Sequence, residues 1–75
     1  MPFKTPDYYY IIIESDRPSV LDAIRAMYQP QCPHLDFDAP DGDYLHIIGD
    51  LEHLVRFTVL THNQYPIING YNKDG

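Results

Sequence analysis

The side chains best equipped for chemistry are crowded between positions 32 and 38, where Cys32, His34, Asp36 and Asp38 alternate with other residues. His46, His53 and His62 add three more imidazoles further along. Zinc would need three or four such groups converging at about 2.0–2.3 Å from the ion. Cys32-Pro33-His34 is not a recognised ligand spacing, and no second pair of ligands stands beyond it. The set therefore reads first as a proline-rich loop with a partly buried cysteine. Cys32, His34 and Asp36 remain weak metal candidates, and no cofactor is expected. Asp41-Gly42-Asp43 is far too short for a calcium loop.

Covalent chemistry would pair Cys32 with His34, or with His46 brought near in space. A nucleophile and its base need a shared scaffold and a third group to orient them, and this irregular segment offers neither. Asp36 and Asp38 would share one face of a strand, where like charge raises one pKa. Their plain reading is a solvated edge. The four glycines are dispersed, so no phosphate-cradling loop is present. No motif names a reaction, and an enzyme is the less favoured reading.

The charge balance is more informative. Eleven acids against five lysines and arginines give a net charge of −6. The basic residues, Lys4, Arg17, Arg25, Arg56 and Lys73, are scattered, which argues against direct nucleic-acid binding and against an anionic membrane surface. Asp36, Asp38, Asp41 and Asp43 lie close together, with Asp50 and Glu52 following. Projected from one end, these acids would imitate the charge spacing of a nucleic-acid backbone. The competing reading is a solubilising acidic surface. A single cysteine excludes an internal disulfide, and a reducing, cytoplasmic setting fits best. No secretory signal is visible, and no apolar run approaches the ~20 residues that span a bilayer.

The elements that must position these groups start from Tyr8-Tyr9-Tyr10-Ile11-Ile12-Ile13, the densest strand-favouring run in the chain. With no polar face, it belongs in the middle of a sheet. Pro2 and Pro6 make residues 1–7 an irregular lead-in. Ser15 or Asp16 can cap a helix that has Pro18 in its first turn. That helix would run to about Tyr28, with Val20, Leu21, Ile24, Met27 and Tyr28 as its inward face and an Asp22–Arg25 pair outside it. Leu35 to Ala39 alternates as a short edge strand with Leu35 and Phe37 inward. A turn at Pro40-Asp41-Gly42-Asp43 leads into a strand from Tyr44 to Gly49.

Residues 51–61 are ambiguous. Asp50 as a cap and the spacing of Leu51, Leu54, Val55, Thr58 and Val59 favour a helix ending at His62-Asn63. The β-branched run from Val55 to Thr61 would also suit a strand. Tyr65 to Asn69 reads as a last strand, confined to an edge by Pro66, and residues 70–75 read as a polar tail.

With the helical reading of 51–61, the order is βαββαβ in one small α+β domain spanning residues 1–75. That is the split βαβ, ferredoxin-like sandwich: a four-stranded antiparallel sheet with two helices on one face. It puts the two most apolar strands in the centre. It also leaves one sheet face open. If Leu45 and Ile47 face the helices, Tyr44, His46 and Ile48 face outward, joined by either Tyr8/Tyr10/Ile12 or Tyr9/Ile11/Ile13. Tyrosine is enriched at protein interfaces, although several of the seven tyrosines could simply complete a small core.

The expected function is an acidic protein-interaction module. It would act through Asp36, Asp38, Asp41, Asp43, Tyr44, His46, Tyr8 and Tyr10, and in its sharper form as an inhibitor occupying a basic, nucleic-acid-binding site. Two alternatives stand beside it. One is a regulatory homodimer that binds a small molecule. The other is a small metal protein or enzyme centred on Cys32 and His34.

Overall fold

The computed structural model describes residues 7–73. The expected irregular lead-in falls almost entirely outside them. The elements follow in the order β1 (Tyr9–Glu14), α1 (Pro18–Tyr28), β2 (Asp36–Phe37), β3 (Tyr44–Gly49), α2 (Leu51–Leu60) and β4 (Ile67–Lys73). The strands form one antiparallel sheet in the order β2-β3-β1-β4. This is the ferredoxin-like split βαβ sandwich, with the tyrosine-isoleucine strand β1 in the interior of the sheet.

Alternation along the strands sets the core. Ile11, Ile13, Leu45, Ile47, Leu35 and Phe37 are buried beneath Leu21 and Ile24 of α1 and Leu54 and Phe57 of α2. Phe57 is the aromatic hub. Tyr28 meets it edge-on at 5.4 Å between ring centroids and Phe37 at 5.7 Å, the T-shaped arrangement that ring quadrupoles favour. Gly49 ends β3 beneath the 34–35 segment, and a methyl group there would collide with the Leu35 side chain.

Several details depart from the sequence reading. The N-cap of α1 is Arg17, with no side-chain cap. Ser15 instead accepts the Arg17 N–H at 3.1 Å, a local turn that competes with capping. Val20 and Met27 lie on the exposed flanks of α1. Arg25 forms none of the ion pairs seen among the described residues. Its Nε donates to the Phe37 carbonyl at 2.9 Å. In α2 the inward residues are Leu54, Phe57 and Thr58, while Leu51, Val55 and Val59 are exposed. A two-layer fold buries only one stripe of each helix, so apolar spacing alone overestimates the buried face.

The last strand also runs further than expected. It continues through Gly70 to Lys73, so residues 70–73 belong to the sheet and not to a polar tail. The pairing Ile12↔Ile68 gives way to Tyr10↔Asn72. Asn69 and Gly70, both near φ +60°, form the bulge that absorbs the extra residues. The bulge bends the edge strand midway and leaves Tyr71 beside α2, where its hydroxyl lies 2.9 Å from Thr58 Oγ1.

Candidate functional site

The register resolves which tyrosines face outward. Ile11 and Ile13 are buried on the helical side and Tyr9 packs with them, so Tyr10 and Ile12 belong with the open face, while Tyr8, just before β1, lies at its edge beside Asp36, Ile48 and the 33–35 segment. On β3, burial of Leu45 and Ile47 leaves Tyr44, His46 and Ile48 on that same face. Tyr10 pairs with Ile48, Ile12 with His46, and Glu14 with Tyr44. Ile68 stands opposite Ile12 on the other side. The Tyr10 and His46 rings lie 6.1 Å apart. Tyr8 and Tyr44 are 48% and 43% exposed.

The acids form the rim of this face. Asp36 stands on edge strand β2 opposite Ile48. Asp38 continues the edge, its N–H donating to the His46 carbonyl at 3.0 Å. Asp41 and Tyr44 exchange both backbone hydrogen bonds, at 2.9 and 3.1 Å, and close a tight turn whose Gly42 sits at φ +60°. That turn holds Asp41 and Asp43 at the end of the hairpin, both exposed. The Ser15 N–H donates to the Asp43 carbonyl at 2.9 Å and ties the turn to the end of β1, beside Glu14. None of the open-face strand positions, from Tyr10, Ile12 and Glu14 across to Asp36, Tyr44, His46, Ile48, Ile68 and Asn72, is lysine or arginine. The surface is thus apolar and aromatic in its middle and negative along one edge and one end.

Three other tyrosines have structural work. Tyr9, Tyr28 and Tyr65 pack against the core. Burial, together with the Tyr28 hydroxyl, pushes the Tyr65 phenol above its ordinary value. Tyrosine content alone did not distinguish these from the open-face set. The β1 register separates Tyr9 from Tyr10, and packing against the core sets Tyr28 and Tyr65 apart.

The chemistry-bearing loop is brought to a different place. Cys32, Pro33, His34 and Leu35 form one wall of a cavity of about 270 Å3, and His53, Arg56, Phe57 and Leu60 of α2 form the other. The His34 and His53 rings are 4.5 Å apart at 38°. His53 Nδ1 donates to Asp50 Oδ1. Partial burial pushes the Asp50 carboxyl up, but the hydrogen bond and charge of His53 outweigh it and hold the group below its ordinary value. Burial pushes the Cys32 thiol up, away from the thiolate a nucleophile requires. Among the described residues, no group of three or more His, Cys, Asp or Glu side chains is placed to hold a metal ion.

His34 and Asp36 line one groove and Cys32 and His34 another, so the structure does not assemble Cys32, His34, Asp36 and His46 into one centre. Sequence reasoning missed the Asp50–His53 pair, although its i,i+3 spacing at a helix start was a usable signal. The approach of His34 to His53 has no sequence signal, because the fold alone brings the loop onto α2.

No family model, curated protein or solved structure matches this chain.

Proposed function

We propose that the protein is a docking module that binds a basic protein surface through its open sheet face. The supporting observation is the composition of that face: tyrosines, isoleucines and one histidine in the middle, acids at its edge and end, and no cation at any of its strand positions. Burying the aromatic middle supplies affinity, because Tyr contributes large apolar area while its hydroxyl keeps a hydrogen-bonding option. The acidic rim supplies steering and selectivity toward lysine- and arginine-rich partners. A partner that itself binds nucleic acid carries such a surface, and occupying it would make this protein an inhibitor.

Capture from native lysate tests this reading at low and high salt, with the natural protein and a variant in which Asp36, Asp38, Asp41 and Asp43 are all changed to Asn. The expected result is a partner retained at low salt, released by salt, and at least about tenfold depleted with the variant, a loss of about 1.4 kcal/mol. Equal capture by both proteins at every salt concentration contradicts it.

A further inference from the structure

The cavity between the 31–35 segment and α2 lies on the helical side of the sheet, and its lining differs in kind from the rest of this acidic molecule. The chain holds eleven acids and five lysines and arginines. Yet no Asp or Glu lines this cavity, while Arg56, His34 and His53 do. At the start of α2, the two nearby acids are each engaged: Glu52 Oε1 accepts from Arg56 at 2.8 Å, and Asp50 accepts from His53; Asp36, next to Leu35, lies on the neighbouring groove with Tyr8 and Ile48 and not in this cavity. The remaining walls are apolar, formed by Pro33, Leu35, Phe57 and Leu60. At about 270 Å3, the cavity sits just below the ~300 Å3 at which small-molecule pockets begin.

We propose that this cavity binds a small anionic ligand: a single carboxylate on a compact apolar body of about one ring. The ring would lie between Phe57, Leu60 and Pro33. The carboxylate would accept from the guanidinium N–H groups of Arg56 that Glu52 leaves free, a charge-assisted contact of the stronger kind. The His34–His53 pair closes the remaining side with polarisable, hydrogen-bonding edges. This site does not rest on the docking reading and stands or falls separately.

The test is an amide NMR titration of the full chain with benzoate, and in parallel with benzamide, its neutral counterpart of the same shape. Benzoate is expected to produce saturable shifts confined to residues 31–35 and 53–60, with benzamide at least about tenfold weaker. R56Q should lose the preference for benzoate. E52Q, which frees the guanidinium, should keep or strengthen it. L60W, which fills the cavity from an exposed position, should abolish binding while the rest of the spectrum stays native. Equal binding of the two probes, shifts centred on the open face, undiminished binding to L60W, or no saturable shift at millimolar benzoate would each overturn the proposal.

Discussion

Gln29 shows how much one side chain can contribute to this fold. Its Nε2 donates to the Leu35 carbonyl at 2.8 Å, and its Oε1 accepts the Phe37 N–H at 3.0 Å. Those groups lie on the free edge of β2, and the amide occupies them as a neighbouring strand would. Arg25 closes the same edge at the Phe37 carbonyl. A two-residue edge strand would otherwise offer a template for pairing with another chain. Gln29→Ala is therefore expected to cost about 1–3 kcal/mol and to increase aggregation on partial heating, read by thermal denaturation with light scattering. The Asp50–His53 contact carries a pH signature. The folded-state carboxyl lies below its ordinary value, so the stabilisation is present above the unfolded value of about 3.9. It disappears as pH falls through the lower, folded value. Asp50→Asn should narrow the stability gap between pH 6 and pH 3 relative to the natural protein, measured by urea unfolding at both values.

At the scale of elements, α2 resolves the segment that local composition left between helix and strand. It ends in a Schellman motif. The His62 N–H bonds the Val59 carbonyl at 3.0 Å and the Asn63 N–H bonds the Thr58 carbonyl at 2.9 Å, with His62 at φ 54°. A left-handed conformation is costly for a residue with a Cβ, about 1–2 kcal/mol. His62→Gly should consequently raise the thermal midpoint by several degrees, since ~1 kcal/mol shifts a domain of this size by roughly 4–8 °C. The strand and helix order was legible because each element carries its own period and stop signals: the β1 run, Pro18, Pro30, Gly42 and Asp50. The inward faces of the helices were only partly legible, since Leu51, Val55 and Val59 have apolar spacing but face solvent. The Asn69-Gly70 bulge was read as a strand end because both residues interrupt a strand pattern locally. Only pairing with Tyr10 shows that the strand resumes.

For the whole molecule, the two surfaces that distinguish this protein lie on opposite sides of one sheet. The helical side exposes an apolar flank of α2 at Val55 and Val59 and, elsewhere on the same layer, the cavity lined by Arg56, His34 and His53. The other side presents Tyr10, Tyr44 and His46, with Tyr8 at its edge, and the acidic rim of Asp36, Asp38, Asp41 and Asp43. The sequence named those residues, but only the sheet register shows which of them share a surface. Val59 at 66% exposure is the natural rival position for docking, and it carries no acidic rim of comparable density. A photoreactive phenylalanine derivative placed at Tyr44 in one preparation and at Val59 in another compares the two sides directly in native lysate. The docking account predicts a discrete, salt-sensitive adduct from position 44 and none from position 59. An adduct formed from position 59 alone would contradict it and move the interface to the helical layer.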